Sequence, residues 1–225
     1  MQKTAKILTC CLLVIPLIGS GPKGAQSTGE EHSTQSAILR AFLQRGGELF
    51  RRGHYQEAAG IYQSVLEASQ SLQLARLAGR ALGNLGSCQF ALHQYQAALR
   101  LFLESRRNLE ASGDASGAAV FDANIASVYI QIGEYSAAAE WVERSMARIS
   151  GLDREHHLAQ LQLQLATLRA RQGRMADAFE LFRQGLDGAD RAGDLELYAI
   201  GWNRLGEELL QRGDLAQAEK ALLGA

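Results

Sequence analysis

The sequence predicts an all-α protein, a solenoid built from about five helix–turn–helix repeats. Turn positions recur every 40 residues, and small and large residues recur in register with those turns. Both prolines, Pro16 and Pro22, lie near the N-terminus. Because proline removes a backbone N–H and interrupts helices, its absence after residue 22 lets long helices form.

The composition is that of a globular chain with enough apolar residues for a core. Hydrophobic residues make up 47% of the 225 residues, and charged residues make up 21%. The formal net charge is -1, so the chain has no excess of positive charge that would attract nucleic acid or an anionic membrane. We expect neither nucleic acid nor, once the N-terminal segment is removed, a membrane as a partner.

The N-terminal segment is typical of a secretory signal. Lys3 and Lys6 precede the apolar run 7–19, which is followed by small and polar residues. This run is too short to cross a bilayer as a helix. Cleavage is expected after Ser27, or alternatively after Gly21. An uncleaved anchor is the other interpretation, and the early cysteines suit a lipid anchor poorly.

The expected organisation has three parts. Residues 1–27 form the signal peptide, 28–36 form a polar linker, and 37–225 form the solenoid. The protein is therefore expected to be exported to the periplasm or the extracellular space. After cleavage Cys88 is the remaining cysteine, so packing rather than a disulfide within the chain must stabilise the fold.

The repeat is defined by five columns of residues. The turn positions are Gly53, His93, Gly133, Gly173 and Gly213. Five residues later stand Ala58, Ala98, Ala138, Ala178 and Ala218. Seven residues before the turns stand Gly46, Gly86, Ala126, Ala166 and Gly206. Large residues follow the turns by two (Tyr55, Tyr95, Tyr135, Met175, Leu215) and by nine (Tyr62, Phe102, Val142, Phe182, Leu222).

Each column has a physical role in a helical hairpin. The small residues and alanines let two antiparallel helices approach closely, and the large residues fill the gaps between them. Glycine provides the left-handed conformation that ends the first helix, and histidine tolerates it better than most residues. Further turn signals near Gly113, 151–153 and Gly193 separate the hairpins. The predicted helices are 37–52, 54–69, 72–92, 94–111, 116–132, 134–149, 155–172, 174–190, 195–212 and 214–223.

Three segments carry a family resemblance: NLGSCQFALHQYQAAL, NIASVYIQIGEYSAAA and RLGEELLQRGDLAQAE. Across residues 38–225 the chain resembles the tetratricopeptide repeat (TPR) family, which implies a right-handed solenoid with a concave groove lined by first helices. The implied repeats are 38–71, 72–113, 114–153, 154–193 and an incomplete 194–225. Their length is similar to that of the longer-helix subclass found in kinesin light chains, spindle-orientation adaptors and secreted bacterial TPR proteins, including those with a C-terminal caspase-like CHAT domain.

The resemblance also indicates a binding groove. Nine residues before each turn lies a polar side chain, and in TPR proteins Asn at this position binds the backbone of an extended peptide. An amide suits this role because it both donates and accepts hydrogen bonds. The alternative is that these side chains only cover exposed helix faces. Including neighbouring residues that could pair with carboxylates, the expected groove residues are Arg40, Gln44, Arg51, Arg80, Asn84, Asn124, Gln131, Gln164, Arg171 and Arg204.

The expected function is therefore that of a scaffold that binds a protein or an extended peptide of unknown identity. No catalytic motif is present in the sequence, so we do not expect an enzyme, a metal or another cofactor. The run Asp153, Glu155, His156 and His157 resembles a metal site in composition, but adjacent side chains diverge on a helix. The alternative function is a recruiting or regulatory segment of a longer secreted enzyme, such as a CHAT-type caspase-like protease.

The last helix, 214–223, is shorter than its counterparts. Leu215, Leu222 and Leu223 are therefore expected to form an exposed apolar face, because repeat arrays need a polar cap. We expect that the natural protein continues beyond Ala225, or that this face is covered by a partner or by self-association with a second copy.

Overall fold

The computed structural model describes residues 26–149 and 154–223, with side chains from residue 33 onward. These residues form ten helices and no strand, which confirms the all-α fold class. The helices are α1 (Gln26–Arg51), α2 (Tyr55–Ser71), α3 (Ala75–Ala91), α4 (Tyr95–Ala111), α5 (Ala115–Gln131), α6 (Tyr135–Arg148), α7 (Arg154–Arg171), α8 (Met175–Arg191), α9 (Leu195–Gln211) and α10 (Leu215–Leu223).

The first helix begins earlier than the sequence indicates. Residues 28–36, expected as a polar linker, lie within α1, which begins at Gln26. Once a helix has formed, elongation fixes only one further residue per hydrogen bond, so a polar extension needs no buried face. Leu39, near the predicted start of the helix, is among the buried core residues. Residues 1–25 of the expected signal peptide lie outside the described residues.

The turns within the hairpins have the expected left-handed residue. At Gly53 φ is 81°, and its N–H donates to the Phe50 carbonyl at 2.9 Å. The next N–H, from His54, donates to the Leu49 carbonyl at 2.9 Å, which completes a Schellman motif. His93 adopts a φ of 59° in the same role. These paired hydrogen bonds satisfy helix-end carbonyls even where the turn residue is not glycine.

The turn between α2 and α3 contains no glycine, and its position predicted from the sequence is wrong. Gln73 has a φ of 56°, and the Leu74 N–H donates to the Ser69 carbonyl at 2.8 Å. Consequently α2 extends to Ser71 and α3 begins at Ala75, rather than at the predicted 69 and 72.

Close helix contacts follow the predicted columns. Ala58, Ala98, Ala138, Ala178 and Ala218 are completely buried. The small residues on the first helices face large residues of the same hairpin: a Cβ added at Gly46 would lie 2.5 Å from the Tyr62 ring. A Cβ added at Gly86 would lie 2.7 Å from the Phe102 ring. The small and large columns are therefore complementary halves of one contact.

The chain divides into two compact units, with the boundary between Ala118 and Ala119 inside α5. Unit 1 extends to Ala118 and has a core that includes Val65, Leu82 and Cys88. Unit 2 begins at Ala119, and its cores are formed by α5 to α10. In unit 2, Leu215, Leu222 and Leu223 are exposed as expected, and Leu222 also packs over Gly206. No helix in the described part of the chain combines the length and apolar character needed to cross a bilayer.

Candidate functional site

A cleft in unit 1 brings three of the expected groove residues together. Gln44 and Arg51 reach it from α1, and Asn84 reaches it from α3. Its volume is about 540 Å³. We call this the unit-1 cleft, and its lining residues are Leu43, Gln44, Gly47, Glu48, Phe50, Arg51, Tyr62, Asn84 and Ser87.

A second cleft, wholly within unit 2, contains three more of the expected residues. Asn124 comes from α5, Gln164 from α7 and Arg204 from α9, so three successive first helices contribute. Its volume is about 350 Å³. We call this the unit-2 cleft, and its lining residues are Val120, Ala123, Asn124, Ser127, Ser145, Ile149, His157, Gln160, Leu161, Gln164 and Arg204.

Helix geometry explains why these polar residues line clefts. Four of them are followed by a buried core residue: Leu85 after Asn84, Ile125 after Asn124, Leu165 after Gln164 and Leu205 after Arg204. Because successive residues are rotated by about 100° around the helix axis, the polar residue lies at the border between core and surface. Asn84, Asn124 and Gln164 are accordingly half-buried rather than fully exposed.

The amide groups in these clefts are available to a ligand. Among the described residues, the side-chain amides of Asn84, Asn124 and Gln164 form no hydrogen bond with another residue. An Asn or Gln amide offers two N–H donors and a carbonyl acceptor. A half-buried amide with unused hydrogen-bonding capacity can bind a main-chain N–H and C=O without first breaking a protein contact.

Four of the expected groove residues line neither cleft. Arg40 and Gln131 are exposed. Arg80 donates to Asp114 Oδ2 at 3.0 Å, and Arg171 Nε donates to Glu208 at 3.4 Å. Arg171 also lies over the Tyr135 ring, 5.2 Å from its centroid. Both arginines are thus occupied by partners from neighbouring helices, which their positions in the sequence did not indicate.

These ion pairs shift the pKa values of Asp114 and Arg171. Burial would raise the pKa of Asp114, but the Gly117 N–H, the Arg80 hydrogen bond and the charges of Arg80 and Arg76 outweigh it and lower the pKa. Burial would lower the pKa of Arg171, but hydrogen bonds to Tyr135 and Glu208 outweigh it and raise the pKa. Arg80 and Arg171 therefore already have partners within the structure.

Burial also determines the protonation state of the Cys88 thiol and the Tyr62 hydroxyl group. It raises the pKa of the Cys88 thiol to about 11. It raises the pKa of Tyr62, in the unit-1 cleft, to about 12, with the neighbouring Cys88 adding to the effect and Arg51 opposing it. Both groups are protonated at neutral pH, and a protonated, completely buried thiol is not a nucleophile.

Several residues of the unit-2 cleft were not among the expected groove residues. His157 and Gln160 precede Gln164 by seven and four residues, so they share its face of α7. That spacing could have identified them. Ile149, at the end of α6, had no comparable signal because it follows the last turn of a second helix. His156 points elsewhere and pairs with Asp194 at 2.9 Å. Within the described residues, no three His, Cys, Asp or Glu side chains cluster where they could hold a metal ion.

The chain matches a known repeat family over part of its length. The sequence pattern of a tetratricopeptide repeat family matches residues 114–191, which correspond to α5 through α8. Among curated protein sequences, none matches this chain.

Solved structures share the fold over most of the chain. BtubC from P. vanneervenii is 14% identical with a TM-score of 0.74, and the match covers 98% of this chain and 85% of that one. A kinesin light chain from Podosopora anserina with nearly identical TPR-like repeats is 16% identical with a TM-score of 0.67, covering 83% and 92%. YrrB, a TPR protein with an unusual peptide-binding site, is 14% identical with a TM-score of 0.53, covering 87% of each chain. At these identities the likeness concerns the fold: a TPR-like array of helical hairpins.

Proposed function

We propose that this protein is a scaffold whose first helices bind an extended segment of a partner polypeptide. One observation carries the proposal: in each unit, amide side chains from different hairpins line the same cleft without hydrogen-bonding to another described residue. This function requires neither a cofactor nor a metal.

The physical basis is the hydrogen-bonding need of an extended chain. A peptide outside a sheet presents unpaired N–H and C=O groups, which side-chain amides on successive first helices can bind. Apolar cleft residues such as Phe50 in unit 1 and Ile149 in unit 2 can contact its side chains. The peptide-binding site of YrrB, a protein of similar fold, supports this interpretation. The 40-residue period supports placing the chain in the longer-helix TPR subclass.

The test is selection of binding peptides from a random library displayed on phage, using the full chain. We expect enrichment of peptides that bind the unaltered protein and fail to bind the double variant Asn84→Ala, Asn124→Ala. The matched control is Gln63→Ala with Gln96→Ala, which removes two exposed amides on second helices that line neither cleft. Equal binding by all three proteins would place the ligand away from the clefts. No enrichment with the unaltered chain would contradict the proposed function.

We also propose that the protein is exported, as its first 27 residues suggest. A fusion of residues 1–36 to β-lactamase, which protects a bacterium only outside the cytoplasm, tests this. We expect resistance from the fusion and its loss when Leu13→Arg places a charge in the apolar run. Resistance that persists in the Leu13→Arg fusion would contradict a signal-dependent route.

A further inference from the structure

Arg204 has a distinctive electrostatic environment in the unit-2 cleft. It lies on α9 and is half-buried beside the cleft that Asn124 and Gln164 also line. The described lining of this cleft contains no Asp or Glu, and its other titratable group is His157. The cleft therefore carries positive charge that no lining carboxylate offsets.

Other arginines of unit 2 show what Arg204 lacks. Within the described residues, five of them already contact a carboxylate, at separations that reach 3.5 Å for the Arg148–Asp122 pair. The five pairs are Arg148–Asp122, Arg169–Glu143, Arg171–Glu208, Arg174–Asp177 and Arg183–Glu180. Arg204 forms no hydrogen bond or ion pair with a described residue, and Glu207 acts on it only through its charge.

Partial burial makes this unpaired charge costly. Burial lowers the pKa of Arg204, and the charge of Glu207 offsets part of the effect. The guanidinium nevertheless stays protonated at neutral pH, as arginine does in proteins. A half-buried cation without a hydrogen-bonded partner has lost hydration that no protein contact replaces, so an incoming carboxylate can restore those interactions.

We propose that the unit-2 cleft recognises an aspartate or glutamate side chain of an extended peptide, whose carboxylate pairs with Arg204. The inference rests on the proposed function and adds the chemistry of the ligand. Asn124 and Gln164 bind the peptide backbone, and the guanidinium offers two parallel N–H donors to the two carboxylate oxygens.

The backbone of the cleft favours a side-chain carboxylate over a free C-terminus. Proteins that capture a C-terminal carboxylate commonly surround it with free backbone N–H groups. Here Asn124, Gln164 and Arg204 all lie inside helices, where N–H groups are bonded to the preceding turn. The guanidinium is the group of these three that can neutralise an anion, and it can do so for a side chain at any position along a peptide.

The unit-1 cleft lacks this charge imbalance. Its lining includes Glu48 as well as Arg51, so one negative and one positive side chain face the same space. The preference for an acidic peptide residue therefore belongs to the unit-2 cleft and depends on Arg204.

The experiment uses a peptide selected by the full chain and three synthetic forms of it. One form is unaltered, one has each Glu and Asp replaced by Gln or Asn, and one has an amidated C-terminus. Affinities are measured by calorimetry for the unaltered protein, Arg204→Gln, Arg204→Lys and the control Arg191→Gln. Arg191 is exposed on α8, in the same unit, and lines neither cleft.

We expect Arg204→Gln to weaken binding of the unaltered peptide about tenfold, the size expected for a charged hydrogen-bonded pair. Binding of the Gln/Asn peptide should change less than about twofold on this substitution. Arg204→Lys, which keeps the charge but loses the paired donors, should give an intermediate loss. Arg191→Gln and C-terminal amidation should leave the affinity unchanged.

Two results would overturn the inference while leaving the scaffold function standing. One is an equal loss of affinity for the acidic and the neutral peptide in Arg204→Gln. The other is loss of binding on amidation, which would identify the C-terminus as the ligand. Unchanged melting of Arg204→Gln and Arg204→Lys by circular dichroism confirms that the variants are folded. Failure of the unaltered chain to select any peptide would instead contradict the proposed function itself.

Discussion

Single small residues set the distance between helices in this protein. Where a Cβ would meet an aromatic ring, as at Gly46 and Gly86, the absence of a side chain allows the contact. A further close contact involves hydroxyl groups: Ser105 Oγ donates to the Gly79 carbonyl at 2.7 Å, and Ser145 Oγ donates to the Ala119 carbonyl at 2.8 Å. Both bonds join the two helices of one hairpin and satisfy polar groups that the close approach buries.

The buried alanine column provides the first prediction. Ala138→Leu adds three carbons to a completely buried position on α6, and overpacking should lower the free energy of unfolding by about 1–3 kcal/mol. The matched control is Ala147→Leu, an exposed position on the same helix, where we expect a change within about 0.5 kcal/mol. Thermal unfolding followed by circular dichroism measures both. Equal midpoints for the two variants would show that the assigned contact is wrong.

At the scale of elements, Asp114 links the start of α5 to α3. Its Oδ1 accepts the Gly117 N–H at 2.9 Å, which caps α5. Its Oδ2 accepts from Arg80 at 3.0 Å and lies 3.6 Å from Arg76 Nε. The carboxylate therefore stabilises the end of one helix and joins it to the exposed face of another.

The second prediction concerns the pH dependence of this link. Because the folded pKa of Asp114 lies below its ordinary value, the ionised group stabilises the fold above about pH 4, and that contribution is lost as pH falls through the folded pKa. Asp114→Asn keeps a capping side chain but removes the charge, so it should cost about 0.5–1 kcal/mol near pH 7.

Melting measured from pH 7 to pH 3 distinguishes the charge from the cap. The difference between Asp114→Asn and the unaltered chain should shrink as the carboxyl group becomes protonated. Asp214→Asn is the control, since Asp214 caps α10 through the Gln217 N–H at 3.3 Å. A difference for Asp114→Asn that is constant across this range would contradict a role for its ion pairs.

At the scale of the whole molecule, the chain consists of two compact units, each with its own buried core. In repeat proteins, stability is approximately a sum of contributions from repeats and their immediate neighbours. Opening of one region can therefore occur without opening of a distant one, and unfolding need not be a single two-state transition.

The third prediction follows from this organisation. Under native conditions, Ala138→Leu should increase amide hydrogen exchange in α6 and in its neighbour α7. Exchange in α2, around the completely buried Val65 of unit 1, should change little. Hydrogen exchange measured by mass spectrometry at peptide resolution tests the expectation. A uniform increase across the chain would show that the protein opens as one cooperative unit instead.

Local sequence was sufficient to predict the hairpins, because each depends on short-range features. The small residue before each turn and the alanine after it can be recognised within one hairpin, and the 40-residue spacing of turns follows from comparing successive hairpins. The turn at Gln73 was placed too early because its left-handed residue is not glycine; the N–H groups of Gln73 and Leu74 donate to carbonyls at the end of α2 and hold it there. The start of α1 was missed because a polar extension has no apolar period to detect.

The sequence by itself determined the all-α class, the hairpin period, and the amide column in which Asn84, Asn124 and Gln164 occur. Only the tertiary structure decided which arginine side chains remain available to bind a ligand. Arg80 and Arg204 both lie on first helices, yet Arg80 is paired with Asp114 and Arg204 has no such partner among the described residues. Pairing depends on which carboxylate a neighbouring helix brings within about 4 Å, and that distance is fixed by packing between helices rather than by spacing along the chain.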